Sequence, residues 1–317
     1  MLFWFFFLVV LVIFMLVIDP FYRGLGYRFA KFFSGSIVDV FVKFFGDGEF
    51  YVKFGSDVSD EDVFVLLNMF PDPSFSIVRG IFYVHALKDL GASRVFLIAP
   101  YLAYSRQDKR FLPGECVSSR VVVKSFLDAG ADLVITVDVH NPNAFNVFGD
   151  KFVNLSSSSV VANYIMEVYD PSSVFLISPD KGRISLIEEI SNKLNVPYTW
   201  FLKQRDLETG EIIKHVPYDE SFLKELVNRR NIAIIYDDII STGGTISNIV
   251  KYLRDEIGFE GEIVTIFTHG IFLPNSIQKL YVAGVTKIVA TDTIDNPFAE
   301  ISVAEVIHEF IKHFQHR

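Results

Sequence analysis

The chain has 317 residues, half of them hydrophobic, with 33 phenylalanines and a formal net charge of −9. This length has material for two buried cores, and the negative charge argues against a nucleic-acid partner gripped through its phosphates. A single cysteine, Cys116, excludes an internal disulfide framework and fits a reducing compartment.

Residues 1–18 carry no charge and approach the length a transmembrane helix needs. No basic segment precedes this run and no small-residue cleavage site follows, so it is not a secretory signal. Arg23, Arg28 and Lys31 come after it, which suits an N-terminal membrane anchor with the body in the cytoplasm. The competing reading makes Met15–Ile18 a buried first strand that stops at Asp19-Pro20. A helix with Leu25, Phe29, Phe32 and Phe33 on one face then follows. We prefer the strand, since residues in a sheet cannot also lie in lipid. Residues 1–14 are then an apolar extension and the chain is a cytoplasmic protein.

Val38–Phe44 alternates as a strand, and Asp47-Gly48 signals a tight turn, hence a hairpin. Val63–Leu67 and Val95–Ala99 are buried-strand runs flanking a helix over Ile77–Leu90. After Pro100 come Arg106, Gln107, Asp108, Lys109 and Arg110, a cation cluster just past a strand end. Such a cluster neutralises a polyphosphate, or is simply a solvated loop. Helix Val117–Leu127 leads to strand Asp132–Val137. Asp138 and His140 beyond it are expected to point the same way and to reach a metal or a structural hydrogen bond.

The second half repeats the plan. Helix Val160–Tyr169, strand Val174–Ile177, the turn Ser178-Pro179-Asp180-Lys181-Gly182, helix Ile184–Leu194 and strand Tyr198–Leu202 follow in order. Lys203–Gly210 is charged and turn-like, suited to a mobile flap. Ile232–Tyr236 is a buried strand that ends in Asp237 and Asp238. Ser241-Thr242-Gly243-Gly244-Thr245 then opens a helix. A glycine and hydroxyl loop at a helix N-terminus aims N–H groups at an anion, and the paired glycines let a phosphate approach. Carboxylates beside such a cradle suit sugar hydroxyls or a metal, so a phosphosugar ligand is expected. Strands Ile263–Thr268 and Lys287–Ala290 and the amphipathic helix Val303–Phe314 close the chain. Alternation of strands and helices twice over implies two doubly wound α/β domains with mainly parallel sheets, 15–155 and 156–317.

These motifs, in this order, resemble the ribose-phosphate diphosphokinase (PRPP synthetase) family, archaeal-like, on the phosphoribosyltransferase fold. The resemblance implies transfer of a diphosphoryl group from ATP to ribose 5-phosphate, with Mg²⁺. It implies ATP contacts from Phe45, Asp47, Gly48 and Glu49 and from Arg106, Gln107 and Asp108. It implies metal ligation by His140 and Asp180, and catalysis by Lys203 and Arg205. It gives ribose 5-phosphate to Arg205, Asp237, Asp238, Ser241, Thr242, Gly243, Gly244 and Thr245. It also implies a homo-oligomer in which a neighbouring subunit completes the ATP site. The chain departs from the family at Cys116–Arg120, where Pro-Ile-Ser-Ala-Lys is frequent, and at Pro73–Ile77, which lacks the usual Asn. The alternatives are a phosphoribosyltransferase acting on PRPP and a base, and a non-catalytic regulatory homologue.

Overall fold

The structure is a computed structural model that describes residues 14–205 and 212–315. The apolar segment 1–13 lies outside the described residues, as does 206–211 of the expected flap. Among the described residues no helix is long and apolar enough to cross a membrane.

The first half runs β1 (Phe14–Ile18), α1 (Gly24–Ala30), β2 (Ser36–Val38), β3 (Val40–Phe44), β4 (Phe50–Phe54) and β5 (Asp62–Leu66). It continues with α2 (Pro73–Asp89), β6 (Arg94–Ile98), α3 (Ser118–Asp128), β7 (Leu133–Val137) and β8 (Phe152–Leu155). Six strands form one parallel sheet in the order β2-β1-β5-β6-β7-β8. Leu16 and Val17 of β1 are fully buried between two neighbours, so this segment is a sheet strand. Every residue of β5 and β7 is buried, the pattern of a parallel strand covered on both faces. Asp72 starts α2 by accepting from Phe75 N at 3.0 Å, and Pro73 fixes its first turn.

The single strand expected over Val38–Phe44 is two. The chain leaves the sheet at Asp39, and β3 pairs antiparallel with β4 as a separate hairpin. Phe45–Glu49 is its turn, closed by Phe45 N donating to Glu49 O at 2.8 Å. The hairpin lies on α2 through Phe50 with Phe75 and Phe82, ring centroids 4.9 Å apart in both pairs.

The second half runs α4 (Ser158–Val168), β9 (Val174–Ser178), α5 (Ile184–Leu194), β10 (Tyr198–Arg205), β11 (Ile212–Pro217), α6 (Glu220–Arg229) and β12 (Ile232–Ile240). Then come α7 (Gly244–Lys251), β13 (Glu262–Gly270), α8 (Ser276–Ala283), β14 (Lys287–Thr291), β15 (Ala299–Ile301) and α9 (Ala304–Gln315). The sheet order is β11-β10-β9-β12-β13-β14-β15, parallel except for β10–β11. The architecture is therefore α/β with two mainly parallel sheets. Ile307 and Ile311 of the closing helix α9, with Val303 just ahead of it, join Leu16, Phe64 and Ile135 of the first sheet in one core. Tyr22 and Arg28 bind Thr293 O and Asp292 from the other side of this seam, at 2.7 and 3.0 Å.

Candidate active site

The site lies beyond the carboxyl ends of β7, β9 and β12, where doubly wound sheets place their ligands. β12 was expected to end at Tyr236. It runs on to Ile240, because β13 continues the ladder (Asp237 with Phe267, Ile239 with His269) after β9 has stopped at Ile235. The acidic pair is thus held by strand backbone rather than by a loop.

Gly243 begins α7 at φ 72°, a left-handed conformation that favours glycine, and no side chain caps the helix there. The helix's first internal bond is Ser247 N to Gly243 O at 2.9 Å, so the N–H groups of the preceding turn are left for a ligand. Ser241–Thr245 with Asp237 and Asp238 line a cavity of about 360 Å³. A second, of about 790 Å³, is lined by Arg106, Asp108, Lys109, Asn141, Lys181 and others. Arg106, His140, Asp180, Arg183 and Lys203 border both cavities.

At that border Lys203 Nζ lies 2.6 Å from Asp180 Oδ2, and Asp180 Oδ1 accepts from Gly182 N at 2.8 Å. Burial works to raise the Asp180 carboxyl, but the Lys203 and Arg183 cations outweigh it and hold it below the ordinary carboxylate range. His140 Nδ1 lies 2.9 Å from Asp238 Oδ2, and Arg183 Nη2 is 2.9 Å from the same oxygen. Against the upward push of burial, His140 and Arg183 keep Asp238 ionised and its pKa low. Burial and its charged neighbour push Asp237 up. Arg106 reaches the carbonyl of Ile239, and Asn141 Nδ2 donates to the carboxylate of Asp108.

Of the residues singled out in sequence, Arg106, Asp108, His140, Asp180 and Lys203 converge on the larger cavity. Asp237, Asp238 and Ser241–Thr245 converge on the smaller. Gln107 lines neither, and neither do Phe45, Asp47, Gly48 and Glu49 on the hairpin tip. The side chain of Arg205 lies outside the described residues. Asp138 and His140 both line the larger cavity, but the strand alternation expected to align them is not kept. Asp138 takes φ 41°, which breaks the two-residue alternation of a strand, and its buried carboxylate accepts from Ser157, Tyr236 and Thr268. Sequence reasoning missed Arg183, whose one signal is a cation at the end of the Asp180–Gly182 turn.

Among the described residues no three His, Cys, Asp or Glu side chains converge as a metal cage. One imidazole and one carboxylate beside an anion site still suit a magnesium ion that takes its remaining ligands from phosphates and water.

The family model for the N-terminal domain of ribose phosphate pyrophosphokinase matches residues 22–130, and that for a phosphoribosyl transferase domain matches residues 157–271. The ribose-phosphate pyrophosphokinase of Methanopyrus kandleri is 34% identical over 288 residues, which cover 91% of this chain and 95% of that protein. This chain belongs to the ribose-phosphate pyrophosphokinase family. The Methanobrevibacter smithii member is 30% identical, with 92% and 97% of the two chains covered. The crystal structure of phosphoribosylpyrophosphate synthetase from Mycobacterium smegmatis superposes with a TM-score of 0.81 at 26% identity, over 96% of this chain and 100% of that one. The expected two-domain α/β class and family are therefore correct.

Proposed function

We propose that this ribose-phosphate pyrophosphokinase family member transfers the β,γ-diphosphoryl group of ATP to the anomeric hydroxyl of ribose 5-phosphate, giving PRPP and AMP for nucleotide biosynthesis. The observation that carries this reading is the pair of adjoining cavities with a common border of three cations, one carboxylate and one imidazole. A phosphoribosyltransferase has no need of a second polyphosphate cavity lined by Arg106, Asp108 and Lys109.

In this reading Ser241–Thr245 bind the 5′-phosphate through hydroxyls and N–H groups. Asp237 and Asp238 hold ribose hydroxyls so that O1 faces the β-phosphorus. Arg106 and Asp108, which line the larger cavity, hold ATP, and Gln107 between them lies outside that lining. The O1–Pβ bond forms as the bond from Pβ to the oxygen bridging the α-phosphate breaks; AMP leaves with that oxygen and the hydroxyl proton is released to solvent. Positioning and charge neutralisation carry such transfers. Lys203 and Arg205 stabilise charge on the transferred group. His140 and Asp180 would hold Mg²⁺, which supplies charge neutralisation at the phosphate oxygens when bound.

Phe45, Asp47, Gly48 and Glu49 contact ATP in this reading across a subunit boundary. Phe41, Phe44, Phe45 and Tyr51 of the hairpin are 57, 51, 45 and 44% exposed, which supports a homo-oligomer that covers them. Release of AMP from ATP, dependent on ribose 5-phosphate and Mg²⁺, tests the reaction. Pyrophosphate release from PRPP and a base, without AMP formation, would instead support a transferase.

A further inference from the structure

Three cations border both cavities, and they are not equivalent. Arg106 is exposed, and Lys203 rests on Asp180 with its side chain 29% exposed. Arg183 is 7% exposed and fixed on three sides. Its Nη1 donates to the carbonyl of His140 at 2.6 Å, its Nη2 meets Asp238 Oδ2 at 2.9 Å, and its Nε lies 4.0 Å from Asp237 Oδ1. One planar fork thus ties the segment after β7 to the end of β12, a link between the two sheets. A lysine has a single ammonium and cannot reproduce that two-pronged geometry.

The acidic pair needs such a partner. Asp238 is 2% exposed and stands beside a second carboxylate and an anion cradle. A buried carboxylate without a fixed cation is disfavoured, and an incoming phosphate makes its position worse. His140 Nδ1 lies 2.9 Å from the same carboxylate oxygen, but it also sits against Arg183 Nη2, and its ring is 36% exposed and faces the larger cavity. Arg183 is the buried cation beside Asp238.

We propose that Arg183 is a positioning residue for the acceptor sugar: it locks the Asp238 carboxylate in the orientation that receives the ribose hydroxyls. This rests on the assignment of the smaller cavity to ribose 5-phosphate. Arg183 borders both cavities, but its partners Asp237 and Asp238 line only the smaller one, so its removal separates the two substrates.

The test is titration calorimetry of ribose 5-phosphate on the full chain, with steady-state kinetics alongside. Arg183→Met is expected to weaken ribose 5-phosphate at least about tenfold, the scale of one lost charge-assisted hydrogen bond. KM for ATP stays within about twofold. Arg183→Lys keeps the charge and protects against misfolding as the explanation; it too loses about fivefold or more, because the fork is gone. Adding Asp238→Asn to Arg183→Met costs less than the two single effects multiplied. An unchanged ribose 5-phosphate affinity in either Arg183 variant, equal losses for both substrates, or multiplicative losses in the double variant would overturn the inference. Failure of the reaction itself reads differently: the wild-type chain then binds ribose 5-phosphate, with the Arg183–Asp238 coupling intact, yet releases no AMP.

Discussion

Lys203 Nζ and Asp180 Oδ2 lie 2.6 Å apart, which joins β10 to the turn after β9. The ammonium therefore rests on the carboxylate that the proposed mechanism gives to magnesium. In the proposed mechanism Asp180 would hold Mg²⁺, which would supply charge neutralisation, and Lys203 would stabilise charge on the transferred phosphates. Lys203→Ala is expected to lower kcat for AMP release about a hundredfold or more, the effect of losing one electrostatic donor. Its thermal midpoint stays near that of the parent, since both partners are about 30% exposed at 29% each and contribute little as a surface pair. Turnover within about threefold of the parent would contradict the role.

Asp138 is buried at the junction of the sheets and accepts from Ser157 Oγ, Thr268 Oγ1 at 2.7 Å and Tyr236 Oη at 3.1 Å. Asp138→Ala leaves three hydroxyls short of their acceptor, and the left-handed backbone at φ 41° also suits Asp or Asn better than Ala. Urea unfolding is expected to show a loss of roughly 3 kcal/mol or more. Asp138→Asn keeps one acceptor oxygen and the backbone preference, and loses less. Equal losses in the two variants would contradict this.

His269 lies on β13 behind the site, with Nδ1 2.9 Å from Thr293 Oγ1. Burial pushes its pKa down to about 4 from an ordinary 6.5, against the opposing pull of Asp238. The folded protein therefore keeps this ring neutral while the unfolded chain takes up a proton below pH 6.5. The sign follows: the unfolded state binds more protons, so stability falls as pH drops from 6.5 toward 4. The full effect of this group is at most roughly 3 kcal/mol. His269→Asn is expected to flatten the decline in urea midpoints between neutral and acidic buffers. A slope unchanged by the substitution would contradict it.

His215 pairs in register with Lys203 across β10 and β11, and it is 3% exposed. Among the described residues neither of its ring nitrogens has a hydrogen-bond partner. Burying such a ring disfavours the fold, and an apolar side chain of similar size removes the penalty. His215→Leu is expected to raise the urea midpoint by the equivalent of about 1 kcal/mol. A loss of the same size would mean that the ring has a partner in solution.

The central strands were legible because a parallel strand buried on both faces reads as one apolar run; Val63–Leu67 and Val174–Ile177 are such runs. Strand β8, whose four residues are all half-buried, gives no such run and was missed. Helix α6 was missed although Asp219 caps it by accepting from Phe222 N at 2.9 Å and Leu223 and Leu226 form its apolar face. The Ser241–Thr245 loop, which lines the smaller cavity, stood out in the sequence because its glycines and hydroxyls are contiguous. The His140–Asp238 contact was not, since 98 residues separate the partners and only the docking of two sheets brings them together. Arg183 escaped for the same reason: its three partners lie on other elements. For Asp138 the structural hydrogen bond, one of the two readings open in the sequence, is the one observed; the shared direction with His140 fails because β7 ends at Val137.

The measurement that decides the reaction uses ATP labelled in its β-phosphate, with ribose 5-phosphate, Mg²⁺ and the full-length chain. The account predicts that the label moves to the sugar phosphate as AMP appears in equal amount, and that Lys203→Ala slows both together. Label retained in ADP, with only the γ-phosphate transferred, or no AMP formation dependent on ribose 5-phosphate, would contradict it.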